Sequence, residues 1–211
     1  MEKKMKKRIF LLFTMILTLT VYPQNNSIEI VVQDEPWATG DVFSNLNSKN
    51  VYEGEIQVGN NGIMFWVDMR GWAEFDLPHY LSNKKITKLK LKFYTSVESS
   101  ANDNTIIGSH NIVIIKFPFD VRINSPLDII NYFDELEYSD QEKIYGVDWE
   151  AGESVGIKEI ILGKKAIEDL YSSLRNNTVF KIGFWEFNDN APKCTILGKG
   201  SEFPPRLIVE F

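Results

Sequence analysis

Between Arg70 and Pro78 the chain reads RGWAEFDLP, which places a guanidinium, an indole and the carboxylates of Glu74 and Asp76 within seven positions. Two carboxylates at i and i+2 on a strand stand about 7 Å apart, a separation glycosidases use, but those enzymes flank the scissile bond from different strands and keep one carboxyl protonated by burial. The plainer expectation is that Glu74 and Asp76 pair with Lys90 and Lys92 of a neighbouring strand, or that Asp76 caps the following turn. A polysaccharide lyase would need a tyrosine or histidine base beside a cation, and His79 and Tyr80 adjoin the cluster, with Arg70 close in sequence, but nothing aims them at it. The stretch GESVG at 152–156 fits a nucleophile elbow, yet that device needs a helix directly after the serine and a histidine downstream. Here VGIKEIIL follows Ser154 and the two histidines, His79 and His110, lie upstream. The NDN triplets at 102–104 and 188–190 offer oxygen ligands to calcium without matching a calcium-loop spacing. No metal or other cofactor is therefore expected.

The aromatic residues suggest different chemistry. Apolar sugar faces stack on planar side chains while their hydroxyls bond to carboxylates and arginine. Trp66 and Trp72 share a phase with Arg70 and Glu74, and Trp185 occupies the corresponding phase of a later strand. Those five residues form the candidate ligand-binding set, provided the face is open. If helices cover it, the tryptophans are core.

The elements that position these groups are mostly strands. From Ile63 to Leu77 the odd positions are apolar or glycine and the even positions are largely polar or tryptophan, the pattern of a strand with one buried and one wet face. Fifteen residues exceed an ordinary strand, so a bend or bulge is expected near Gly71. Upstream, SIEIVVQ (27–33) reads as a strand, and an Asn61-Gly62 pair after Ile56 and Val58 signals a hairpin. KLKLKFY (88–94) alternates, NIVIIKF (111–117) reads as a strand covered on both faces, VFKIGFWEF (179–187) buries Phe180, Ile182 and Phe184, and PPRLIVEF closes the chain. Two helices are expected. One runs from Pro126 behind a Ser125 cap, and one over 164–176 carries an apolar stripe and ends at Asn176 and Asn177, which tolerate a left-handed cap. The stretch from Tyr132 to Gly156 reads as a long surface excursion. Together these elements predict an all-β antiparallel sandwich, a jelly roll, with one or two short peripheral helices.

The first 24 residues carry five Lys/Arg, one Glu and an apolar run from Ile9 to Val21, the order of a secretory signal peptide and too short to span a bilayer comfortably. The expectation is cleavage near Gln24, one domain over 25–211, a secreted or surface location and no membrane span in the mature chain. That chain would hold 18 basic and 28 acidic groups, a formal charge of −10, which disfavours nucleic acid as a partner. One cysteine, Cys194, excludes an intrachain disulfide.

Both RGWAEFDLPHYLSNKKITKLKLKFY and GSEFPPRLIVEF resemble the DNRLRE-type secreted domain, a jelly-roll module some of whose members bind carbohydrate. Arg70, Phe75, Asp76 and Leu77 match its first element, Leu89, Leu91 and Tyr94 its second, and Ser201, Glu202, Pro205, Arg206 and Leu207 its last. YEGEIQVGNNG looks like its Gly-x-x-x-x-Val-Gly hairpin, whereas its tryptophan-rich segment is represented only by Trp149 and Glu150. The resemblance implies a framework role for Arg70 and Asp76. The function expected is a secreted, non-catalytic module that binds polysaccharide through exposed aromatics. The alternative is a surface or assembly protein that binds another protein, with a lyase or glycosidase third. An aromatic row on a concave sheet would favour sugar and a flat apolar patch rimmed by charge a protein. A buried, perturbed carboxylate facing a second one in a cleft would favour catalysis.

Overall fold

The computed structural model describes residues 26–44, 49–60, 68–96, 112–136, 140, 142–148, 155–186 and 194–211. Among them the chain forms twelve strands, every pairing antiparallel, and two α-helices. The strands are β1 (Ser27–Val31), β2 (Thr39–Ser44), β3 (Lys49–Glu53), β4 (Ile56–Asn60), β5 (Asp68–Asp76), β6 (Lys88–Ser96), β7 (Ile112–Lys116), β8 (Ile144–Asp148), β9 (Gly156–Leu162), β10 (Val179–Glu186), β11 (Cys194–Ile196) and β12 (Arg206–Glu210). The helices are α1 (Pro126–Asp134) and α2 (Lys164–Asn176). The architecture is a β-sandwich, and no described helix is long and apolar enough to cross a membrane.

One sheet runs β9–β6–β12–β1, with β11 and β4 continuing beside the far end of β6. The other runs β3–β2–β5–β10–β7–β8, and the end of β4 pairs with the start of β5 to join the two at a corner. Alternation decides which side chains fill the space between the sheets. Leu89, Leu91 and Phe93 of β6, Phe180, Ile182 and Phe184 of β10 and Leu207 and Val209 of β12 all point inward and are buried. Helix α2 closes one end of this space with Ala166, Leu170 and Leu174, while Tyr171 ties it down by accepting from the Ile86 amide and donating to the Lys84 carbonyl, both at 2.8 Å.

A second apolar cluster lies on the other side of the β5 sheet. Helix α1 starts as expected, its Ser125 hydroxyl accepting from the Asp128 amide at 3.2 Å, and it presses Ile129, Ile130 and Phe133 onto Val42, Trp72, Val113, Ile115 and Trp185. So β5 is covered on both faces. The wet face expected for it is absent over 70–75, where each residue is buried, and only Asp76 among its described even positions is exposed.

Three further expectations are corrected. Pairing with β2 runs without a register shift from Asp68 through Gly71 to Ala73, and pairing with β10 reaches Gly71 from Asp76 without one, so no bulge stands at Gly71. The glycine instead permits close approach of the sheets, because a Cβ there would stand 2.1 Å from Ile56 Cγ2. Gly71→Ala should therefore lower stability by about 1–3 kcal/mol, read as a fall in denaturant midpoint at unchanged slope; an unchanged midpoint would show that the sheets have room. The left-handed residue after α2 is Thr178, with φ 59°, and not Asn176 or Asn177. Asn177 uses its side chain otherwise, accepting from the Val179 amide at 3.2 Å. Finally, the excursion expected over Tyr132–Gly156 contains the end of α1 and all of β8. The Asn61-Gly62 turn lies outside the described residues.

Candidate functional site

Of the five candidate ligand contacts, Trp66 lies outside the described residues and the other four are interior. Trp72 has no solvent exposure, stacks on Phe117 at 6.0 Å between ring centroids and donates its indole N–H to the Trp37 carbonyl at 2.9 Å. Trp185 is buried in the same cluster under α1. Arg70 is buried too, its Nη1 donating to the Met69 carbonyl at 3.2 Å. Arg70, Trp72 and Glu74 do share one phase of β5, but that phase is not exposed, because α1 and the segment that precedes it lie over the face.

Glu74 is 2% exposed and faces a cation, though not the one expected. Its strand neighbours are β2 and β10 rather than β6, so its cross-strand partner is Lys181, directly opposite, with Nζ 2.9 Å from Oε1. Lys90 instead bridges Glu159 and Glu210, and Asp76 accepts from Gln33 Nε2 at 2.5 Å. Burial raises the Glu74 carboxyl above its ordinary value and Lys181 draws it part of the way back. Asp120 acts on it from the β7–α1 segment but is itself clasped by Arg122, whose side-chain hydrogen bond holds Asp120 down at about 2. Two carboxyls pushed apart in this way are what acid–base catalysis needs. Neither Glu74 nor Asp120, however, lines the cleft that α2 forms with β7 and β10.

The other chemical readings separate in the same way. Arg70 lies roughly 20 Å by strand rise from Asp76 at the end of β5, His79 and Tyr80 lie beyond that end, and Arg70 is buried while they are exposed, so no lyase triad assembles from these three. Ser154, both NDN triplets, Trp149 and Glu150 lie outside the described residues; the chain directly beyond Ser154 enters β9, a strand as expected and not the helix an elbow needs. Among the described residues no cluster of three His, Cys, Asp or Glu side chains is placed to hold a metal. Burial pushes the Cys194 thiol up to about 12, so it stays protonated.

The described surface has an open cleft, of about 360 Å³, between the C-terminal half of α2, the end of β7 and the start of β10. Its base is closed by buried aromatic side chains: Tyr145 stacks on Phe180 at 5.8 Å between centroids, and neither ring presents a face to solvent. One wall is the polar side of α2, with Asp169, Ser172, Ser173 and Asn176; the other is Lys116 to Pro118 together with Lys181. Asp169 is fully engaged, accepting from Tyr145 Oη at 2.8 Å and Lys165 Nζ at 2.9 Å, with Lys116 Nζ at 3.4 Å. Burial pushes Asp169 up, but the hydrogen bonds from Lys165 and Tyr145 and the Lys116 charge outweigh it, and its carboxyl titrates below the ordinary range. Burial and the same carboxylate drive the Tyr145 hydroxyl far upward, so it is a fixed donor and no base. The carboxylate is thus spent on the protein itself, whereas Lys116, 43% exposed, keeps N–H groups for a ligand.

A different surface lies on the outer side of the β6 sheet, which no described helix covers. Ile157 is 55% and Ile161 60% exposed on β9, Ile157 stands opposite Tyr94, and Phe203 stacks on Tyr94 at 5.4 Å. Charges around them pair internally, as in Arg206 with Glu29 at 2.6 Å.

No protein-family model matches this sequence, and no curated protein matches it.

Proposed function

We propose that this chain is an exported, non-catalytic β-sandwich module that binds polysaccharide, and that the cleft between α2, β7 and β10 receives the sugar. The observation that carries this reading is the composition of the cleft. Its walls present lysine, serine and asparagine groups to sugar oxygens, and Lys116 is exposed among them. About 360 Å³ falls at the lower end of small-ligand sites, enough for a short stretch of a glycan chain. The leader-like first 24 residues and the likeness to DNRLRE-type domains support the same reading, while the site itself shifts from the tryptophans to the cleft.

Calorimetric titration of the protein with dextran, xylan and polygalacturonate tests it. Saturable binding of at least one glycan is expected, weakened roughly tenfold by Lys116→Gln, the usual effect of losing one hydrogen bond from a charged donor. Binding that Lys116→Gln leaves unchanged would remove the cleft from the account, and no binding of any glycan would end the reading.

A second reading is favoured by one observation. The uncovered β6 face groups Ile157, Ile161, Tyr94 and Phe203 among internally paired charges, an arrangement suited to a protein partner.

A further inference from the structure

Lys181 connects the cleft to the interior. Its ammonium lies 2.9 Å from the buried Glu74 carboxylate and donates to the Phe119 carbonyl, also at 2.9 Å, while the residue itself lines the cleft. Phe119 directly follows the wall segment Lys116–Pro118. Its ring meets Phe117 and Tyr132 edge-on, and the Tyr132 hydroxyl donates to the Lys116 carbonyl at 2.8 Å. One lysine therefore bridges a buried charge on β5 and the backbone of a cleft wall.

We propose that Glu74 is a positioning residue for the cleft: its ionised carboxylate holds Lys181, and Lys181 holds the Phe119 carbonyl, so the wall keeps its place only while Glu74 stays charged. The cleft's affinity then depends on one proton, an inference that rests on the glycan-binding reading. The charged groups that face Glu74 are Lys181 from β10 and Asp120 and Arg122 from the segment before α1. Asp120 is held at about 2 and Asp169 titrates below its ordinary range, so both stay ionised where Glu74, shifted upward by burial, takes up its proton. Acid thus removes one charge from this network before the others.

The test begins without ligand. Amide hydrogen exchange over 116–121, corrected for the intrinsic pH dependence, should show protection that falls roughly tenfold on acidification. Its midpoint should lie above 4.5, the ordinary glutamate value. The Glu74 side-chain carboxyl resonance should titrate with the same midpoint, and Glu74→Gln should exchange at the acid-form rate at every pH. Protection that does not change with pH, or a Glu74 midpoint that differs from that of the amides, overturns the latch even where Glu74→Gln fails to fold. In the calorimetric panel, affinity should fall about tenfold across the same midpoint. A panel in which dextran, xylan and polygalacturonate all fail to bind overturns the cleft reading and the claim on affinity, whereas flat exchange with a binding glycan overturns the latch alone.

Discussion

Replacing Trp72 with alanine is expected to lower the unfolding free energy by about 3–5 kcal/mol, the range for removing a large aromatic side chain from a packed interior. Trp72 has no exposed surface, lies among Phe117, Val42 and the α1 side chains, and satisfies its indole N–H on the Trp37 carbonyl. The substitution opens a cavity between the β5 sheet and α1 and strands that carbonyl. Urea denaturation followed by circular dichroism measures the loss. A change below about 1 kcal/mol would mean that this face is not packed as described.

Lys181→Met should cost about 3–5 kcal/mol near neutral pH, because it leaves the Glu74 carboxylate buried without its closest counter-charge. The sign of the pH dependence comes from the direction of the shift. Glu74 already binds its proton more tightly folded than unfolded, and loss of Lys181 raises the folded value further. Above that folded value the charged group penalises folding fully. Below the unfolded value both states are protonated and the penalty is gone, so stability is regained as pH falls through the window between them. Denaturation of the variant near neutral pH and again below 4.5 should show most of the deficit disappearing in acid. An equal deficit at both pH values would place the cost in packing of the lysine stem instead.

Much of the sandwich is legible in sequence because its strands alternate. Lys88 to Phe93 declares an inner and an outer face, and the structure places Leu89, Leu91 and Phe93 inside. The unbroken run at Ile112–Ile115 signals cover on both faces and has it. The start of α1 is legible for a similar reason, since Ser125 and Pro126 act locally. Strands β2, β3, β8 and β11 give little signal of their own: β11 has three residues, and the others alternate weakly and are set by their partners.

The candidate site is harder to read, for a specific reason. Periodicity separates the two faces of β5 but carries no information about the cover on each, and the helix over Trp72 and Trp185 begins fifty residues after β5 ends. Partner choice has the same character. Nothing near Glu74 in sequence reveals that β10 rather than β6 lies beside it, so its partner is a lysine but neither Lys90 nor Lys92. The cleft leaves a trace in Asp169, Ser172 and Asn176, polar residues spaced along one side of α2, but every amphipathic helix shows such a side to water.

The central claim is that the cleft, and neither the tryptophans nor the open β6 face, takes the sugar. Its most direct test is an amide chemical-shift map of the protein titrated with whichever of dextran, xylan and polygalacturonate binds. Saturable shifts confined to Lys116, Phe117, 172–177 and 179–181, with their midpoint moved about tenfold by Lys116→Gln, are the predicted result. Shifts centred on Tyr94, Ile157, Ile161 and Phe203, with the cleft silent, would contradict it.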